Sequence, residues 1–395
     1  MKTSSDNRSI FKSVSTIQLM KQSLVYRMSK SEFVLKNGNS LVEACYKYMG
    51  KHYTNKIIEK TAGEIFTSGP NIKTLIADVD KFYTQRGIFS GANYVLEGCE
   101  EDNIPTFDKC RDYLIDTLDV VCKNRPYAHL AIKLSGLAHM DMFKKYHRAQ
   151  HIMMHDLFQK CSTGLSDGSR VLTRDWIKKF WQNHKYNYTE ASLDEFIEIA
   201  KFKNSKYSKD EIGVVEFFSN VHAHYINSDK HNSDLIHQIW ERAEITPEIR
   251  EAIIRFEKRL DAIISRASVY KTHLFVDAEQ TYVQGAMDAI TRQFQSVYHK
   301  NQRAFILNGC QSYLKHSPHY IRVELERWRE EGIGMGIKLV RGAYMMEERR
   351  IASAIGYPSP VWDTIQDTHN AYNQNARFLL NNMNTDSGEY IFINF

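Results

Sequence analysis

The sequence predicts an α/β protein in which short parallel strands alternate with covering helices. Three observations carry this. First, six short apolar runs, the first five of them followed by a helical pattern, stand next to turn residues: Asn93–Leu96, Ala128–Leu134, Thr272–Asp277, Arg303–Asn308, Ile337–Arg341 and Tyr390–Ile393. Second, the last four start roughly 30 to 50 residues apart, the spacing of strand, crossover helix and next parallel strand. Near-continuous apolar runs of this length suit strands covered on both faces. Third, the 395 residues are 43% hydrophobic and 25% charged. That is ordinary globular usage, and it excludes a disordered chain, a collagen and a disulfide scaffold.

Charge and cysteine usage exclude further classes. The formal charge is +5. Residues 1–30 hold Lys2, Arg8, Lys12, Lys21, Arg27 and Lys30 against one acid, Asp6, which leaves the remainder balanced. The basic pI of about 8.6 therefore comes from this tail and is no argument for nucleic acid. Mean hydropathy is −0.47. No apolar run approaches the roughly 18 residues of a membrane-spanning helix. Cys45, Cys99, Cys110, Cys122, Cys161 and Cys310 form no CxxC pair and read as free thiols in a reducing compartment.

Taken in order, residues 1–30 are basic, serine-containing and nearly free of acid, as organelle transit segments are. They are expected to direct the chain to mitochondria. Residues 31–90 predict helices: Leu41, Cys45 and Tyr48–Met49 recur at helical spacing, as do Ile72, Leu75, Ile76 and Val79. Ser68-Gly69-Pro70 breaks the two patterns. Polar residues then cluster at the C-terminal ends of the strands: Lys133, Asp277 with Glu279, Gln311, and Arg341 with Tyr344. In a (β/α)8 barrel and in a doubly wound sheet alike, that end holds the ligand. Gly332-Ile-Gly-Met-Gly336 resembles a dinucleotide loop, but it lacks the GxGxxG spacing and precedes a strand.

Four of these strand ends together resemble one family. Ala131-Ile-Lys-Leu-Ser-Gly-Leu137, Phe275-Val-Asp-Ala-Glu-Gln280, Gln311-Ser-Tyr-Leu-Lys315 and Lys338-Leu-Val-Arg-Gly-Ala-Tyr344 are similar to the strand-end motifs of mitochondrial proline dehydrogenases, in the same order. The resemblance runs from about residue 40 to the C-terminus and implies a (β/α)8 TIM-type barrel holding FAD. It implies oxidation of L-proline to Δ1-pyrroline-5-carboxylate, the first step of proline catabolism to glutamate, with quinone as electron acceptor at the inner membrane. A hydroxyproline dehydrogenase is the near alternative. Hydride transfer needs the ring held against the flavin with its carboxylate anchored, so the protein's task is positioning. By resemblance, Asp277 and Lys338 belong to the catalytic centre, and Lys133 and Tyr344 to the proline pocket. Val276, Gln311, Arg341, Gly342 and Ala343 would contact FAD. Lys338 stands where many bacterial members have arginine, which keeps the charge and loses the bidentate fork.

The resemblance also sets expectations about what the chain lacks. It ends at Phe395, inside the sixth expected strand, so the barrel is expected to be incomplete, with about six strands. Open edges and a missing arginine pair from the last helix then predict that the chain as given is unstable or inactive, either as a fragment of a working enzyme or as a decayed, non-catalytic relic serving at most as an interaction module. Arg349-Arg350 follows the fifth strand and reads as solvated helix charge.

Barrel segments are thus expected at 91–138 and 271–395, separated by an all-helical insert at 139–270. Thr246-Pro247-Glu248 is a good helix start there. Two stretches of the insert resemble worn EF-hands. With Gly168 at loop position six, positions one, three, five and twelve are Thr163, Leu165, Asp167 and Arg174. With Gly213 at six, they are Ser208, Asp210, Ile212 and Ser219. Each keeps one acid where calcium needs several and a glutamate at twelve, so no calcium site is expected. His147, His151 and His155 recur at helical spacing, but no glutamate or cysteine completes a zinc site, and no metal is expected.

Overall fold

The computed structural model describes residues 14–69, 71–93, 102–159, 163–164, 170–213, 215–217, 220, 235–300, 303–383 and 390–393. They form two compact units, one of residues 1–92 with 120–128, the other of 93–119 with 129–395.

The first unit carries helices Thr16–Ser29, Glu32–Met49, Lys51–Ile58 and Ile72–Arg86. The last is bounded as its sequence dictates. The Asn71 side chain accepts the Thr74 N–H at 3.0 Å, and Gly87 ends the helix in the left-handed region at φ 65°. Asp80 on this helix takes both Nε (2.7 Å) and Nη2 (3.1 Å) of Arg125 and the Tyr127 hydroxyl (2.9 Å). The Arg125 hydrogen bond holds the Asp80 carboxyl below its usual range. Strand β1 is Ser90–Asn93, three residues before its expected place. Of the expected strand Asn93–Leu96, residues 94–96 lie outside the described residues.

The second unit is mostly helical around parallel strands: β2 (Ala128–Ile132), β6 (Leu274–Val276), β7 (Ile306–Gln311), β8 (Gly336–Val340) and β9 (Tyr390–Ile393). They lie side by side in that order, all parallel. Parallel neighbours need crossovers. The helices Thr281–Tyr298 after β6, Ser317–Glu331 after β7, and Met345–Ile355 with Ile365–Asn382 after β8 supply them.

Strand alternation sorts the side chains between two faces. Ala131, Phe275 and Leu307 stand opposite one another in register and form one buried apolar row. On the other face Cys310, Ile337 and Leu339 pack with Ile321, Leu325, Trp328, Tyr372 and Leu379 of the covering helices. Each such side chain contributes roughly 1.5–3 kcal/mol when fully buried.

The N-terminal ends of the strands are tied by polar groups. Gln295 donates its amide to the carbonyls of Ile306 (3.0 Å) and Gly336 (2.9 Å). His299 accepts the N–H groups of Phe305 (3.2 Å) and Ile306 (3.1 Å) at Nε2, so its Nδ1 carries the proton toward the Gly334 carbonyl at 3.2 Å. Between the two helices, Glu324 takes Arg292 at 2.6 Å and Arg327 at 2.9 Å, with Glu324 and Arg327 buried and Arg292 partly exposed.

The insert is not all helical. β3 (Thr163–Gly164), β4 (Arg170–Thr173) and β5 (Glu211–Gly213) form a three-stranded antiparallel sheet. Strands of two to four residues are too short to show a period-two pattern, and helix-rich flanks hide them. Helices Arg174–Asn183, Glu190–Ala200, Leu235–Arg242 and Pro247–Tyr270 surround this sheet in the sequence. Arg174 ion-pairs with Glu190 (3.0 Å), Asp194 (2.5 Å) and Asp210 (3.8 Å). The acid at position three of the second worn loop thus faces the arginine at position twelve of the first. Leu165, Asp167, Gly168 and Ser219 lie outside the described residues.

Candidate active site at the strand ends

The strand ends of β2, β6, β7 and β8 meet at one level. Ile132 pairs with Val276 and Val276 with Asn308, while Gly309 pairs with Lys338. One residue further along, Lys133, Asp277, Gly309 and Lys338 therefore share a level and a face, directly beyond the apolar row Ala131, Phe275, Leu307. The Asp277 N–H continues the ladder to the Ile132 carbonyl at 2.9 Å.

Lys338 Nζ stands 2.5 Å from Asp277 Oδ1, reaching across β7, with 13% and 21% of the two side chains exposed. β7 has glycine between them. A Cβ on Gly309 would lie 2.6 Å from the Ala278 nitrogen and 2.8 Å from the Val276 carbonyl oxygen. Only glycine lets β6 and β7 run this close.

A second tier lies beyond. Glu279, 3% exposed, accepts the Ser135 N–H at Oε1 (3.2 Å). Its backbone carbonyl accepts the Gln311 amide at 2.7 Å, and Gln311 Oε1 accepts the Ala343 N–H at 3.4 Å. Gly342 sits at φ 128°, and a Cβ there would fall 1.5 Å from the Tyr313 ring. That fully buried ring occupies the space beside it, and burial pushes the Tyr313 phenol up, with Glu348 and Tyr344 adding to the effect.

The structure thus brings Lys133, Asp277, Lys338, Gln311 and Ala343 to one end of the sheet. It sets two expected residues apart. Val276 is 3% exposed and alternates to the face opposite Asp277. Arg341 is exposed, with its guanidinium 5.3 Å above the ring of Tyr372 on Ile365–Asn382. β8 ends at Val340, so alternation turns the next residue toward the outer helix. Tyr344 is half-buried at the start of Met345–Ile355, its carbonyl accepting the Glu348 N–H at 2.9 Å.

Two buried carboxylates outside the expected site residues prove structural neighbours of it. Glu279 follows Asp277 by two residues, which strand parity makes readable. Glu348, fully buried, takes Thr281 N–H at 2.7 Å and Thr281 Oγ1 at 2.6 Å, and no local signal announces this.

The remaining charged candidates are engaged elsewhere. Arg349 donates to the Trp362 carbonyl at 2.8 Å, and Arg350 pairs with Glu347 at 2.6 Å. His147 accepts the Gly285 N–H at Nδ1 (3.1 Å), which leaves the ring proton on Nε2 and no lone pair there for a metal. Burial, then the neighbouring His151, pushes His147 down to about 4. The His155 side chain lies outside what is described. Among the described residues no group of three or more His, Cys, Asp or Glu side chains could hold a metal ion.

Comparison with known proteins bears on the family and the fold. The family model for proline dehydrogenase matches residues 177–395. The chain is 33% identical over 157 residues to "Proline dehydrogenase 2, mitochondrial" of Arabidopsis thaliana, covering 40% of this chain and 33% of that protein. It is 29% identical over 303 residues to "Proline dehydrogenase 1, mitochondrial" of Caenorhabditis elegans, covering 73% and 46%. It is 24% identical over 386 residues to the Dictyostelium discoideum protein of the same name, covering 96% and 56%. The chain therefore spans between about a third and about a half of the length of these relatives. Among solved structures, proline utilization A from Bdellovibrio bacteriovorus, inactivated by N-propargylglycine, superposes with a TM-score of 0.54 at 13% identity. The match covers 99% of this chain and 32% of that one, a likeness of fold. With more than half of its residues matched by the family model, the chain belongs to the proline dehydrogenase family.

Proposed function

We propose that the strand-end row of Lys133, Asp277 and Lys338 is the substrate side of a proline-oxidising site. Gln311, Gly342 and Ala343 would form its FAD side. The reaction is oxidation of L-proline to Δ1-pyrroline-5-carboxylate in mitochondria, with a membrane quinone as final electron acceptor. One observation carries the reading: a cation, a carboxylate and a second cation share one level of the sheet, above a buried apolar row. That is the charge pattern a ring amino acid needs.

The chain's residues divide the work by chemistry. Lys133 supplies a point positive charge for the proline carboxylate. Lys338 fixes Asp277 through Oδ1, and Oδ2 is the oxygen that would hold the ring N–H. The row Ala131, Phe275, Leu307 offers apolar surface beneath the ring and keeps water out. In the second tier the Gln311 amide and the Ala343 N–H, bonded here to the Glu279 carbonyl and to Gln311, are the donors a flavin would take over, and in that respect the residues present fit FAD. When bound, FAD supplies the hydride acceptor. On the same reading the parallel sheet is the wall of a (β/α)8 barrel, and residues 139–270 are a structural insert.

The test is anaerobic mixing of the FAD-loaded chain with L-proline, or with trans-4-hydroxy-L-proline, while flavin absorbance is followed. Bleaching by proline supports the reading, and preferential bleaching by hydroxyproline reassigns the substrate. Loss of FAD with no bleaching by either overturns it.

A further inference from the structure

We propose that Glu279 is a positioning residue that sets the reach of Lys133 into the site, through the backbone turn that follows Lys133; this rests on the reading just given. Glu279 stands two residues beyond Asp277, on the loop from β6 into Thr281–Tyr298, and is almost wholly buried. Buried carboxylates are not placed idly, because each must be satisfied by donors. Its Oε1 accepts the N–H of Ser135, 144 residues earlier in the chain. Ser135 is the middle of the tight turn Leu134–Gly136, which the Gly136 N–H closes onto the Lys133 carbonyl at 3.0 Å. The carboxylate thus holds the turn whose first carbonyl belongs to Lys133.

Glu279 is itself held at two further points. Its N–H donates to Gln284 Oε1 at 2.7 Å, its carbonyl accepts from Gln311, and Gln311 accepts in turn from Ala343. One residue therefore couples the ends of β2, β6, β7 and β8. What the turn needs from residue 279 is an oxygen at the right distance from the Ser135 N–H. A glutamine preserves that oxygen. An aspartate keeps the charge but withdraws the oxygen by one methylene. An alanine removes it.

The experiment uses the FAD-loaded full chain and its E279Q, E279D and E279A variants. The probe is cyclopentanecarboxylate, a proline-sized ring acid without the amine, which cannot be oxidised. Its Kd is measured by calorimetry beside KM and kcat for L-proline and the thermal midpoint. Misplacement near 1 Å costs up to about 10²-fold in such sites. E279D and E279A are expected to raise Kd and KM by about tenfold or more with kcat little changed, the pattern of lost uniform binding. E279Q is expected to stay within about threefold of the parent. A purely structural residue would lower the thermal midpoint and leave Kd alone, which overturns the proposal. So does E279Q falling as far as E279A. Should E279A fail to fold, E279D carries the test. If the parent chain neither binds the probe nor oxidises proline, the functional reading fails instead.

Discussion

Lys338 on β8 reaches over β7 to hold Asp277 at the end of β6, Nζ to Oδ1 at 2.5 Å. The pair skips a strand because β7 offers only Gly309 at that level. Both partners are mostly shielded from water, so their attraction is less screened than that of a surface pair. Removing one partner leaves the other charge uncompensated. In a double-mutant cycle of K338M and D277N, urea unfolding is expected to give a coupling energy of about 1–2 kcal/mol. Additive single-mutant losses would show that the two side chains do not act as a unit.

Gly309 makes that bridge possible, so its substitution should undo more than one contact. The atoms a Cβ would meet are backbone atoms of β6, which cannot swing aside. Gly309→Ala is expected to destabilise the chain by about 1–3 kcal/mol, the range for overpacking. Gly38→Ala is the control. Gly38 lies in the exposed helix Glu32–Met49 with nothing within 4 Å of an added Cβ. There alanine is expected to stabilise by about 0.5–1 kcal/mol. Thermal unfolding of the two variants side by side checks the contrast in sign.

His299 gives the fold an acid-sensitive joint. Burial pushes it down to about 3, against an ordinary value of 6.5, and the hydrogen bond to Gly334 opposes that only in part. The folded chain keeps the ring neutral because Nε2 must accept two N–H groups. The unfolded chain takes up a proton below pH 6.5. The contribution is thus fully present above 6.5 and is lost as pH falls toward 3. Between pH 6.5 and 5 it should amount to about 2 kcal/mol. Urea unfolding at several pH values reads it out, and the His299→Gln variant should show a shallower fall across this window.

Much of the site is legible in the sequence because strand ends announce themselves. A polar residue directly after an apolar run, as at Lys133, Asp277 and Gln311, sits where a parallel sheet presents its ligand edge. Alternation carries the argument further than composition does. It places Glu279 with Asp277, turns Val276 the other way, and sends Arg341 out over Tyr372. Partners drawn from distant elements are different. Nothing near Gly342 says that the Tyr313 ring fills the space beside it, and nothing near Glu348 says what it caps. β1, Ser90-Gly-Ala-Asn93, stands just before the more apolar stretch Tyr94–Leu96 that the sequence favours. The sheet β3–β4–β5 is hidden in the sequence because its strands are too short to show an alternating pattern.

Glu348 closes the back of the site by capping a helix to which it does not belong. Helix Thr281–Tyr298 begins after Gln280, whose side chain makes no capping bond. The N–H and hydroxyl of Thr281 turn instead to the two carboxylate oxygens of Glu348, on Met345–Ile355. A negative charge at a helix N-terminus also meets the positive end of the macrodipole. The bond ties the helix behind Asp277 and Glu279 to the helix behind Gly342 and Ala343, so both tiers share this anchor. E348A strands a donor and a hydroxyl in a buried place and is expected to cost about 2 kcal/mol or more. T281V removes the hydroxyl but keeps the N–H, and should cost about 1 kcal/mol. Because the two residues form one contact, E348A with T281V together should cost less than the sum of the single changes. Denaturant unfolding of the three variants tests this, and strict additivity would mean that Glu348 stabilises the fold through some other neighbour.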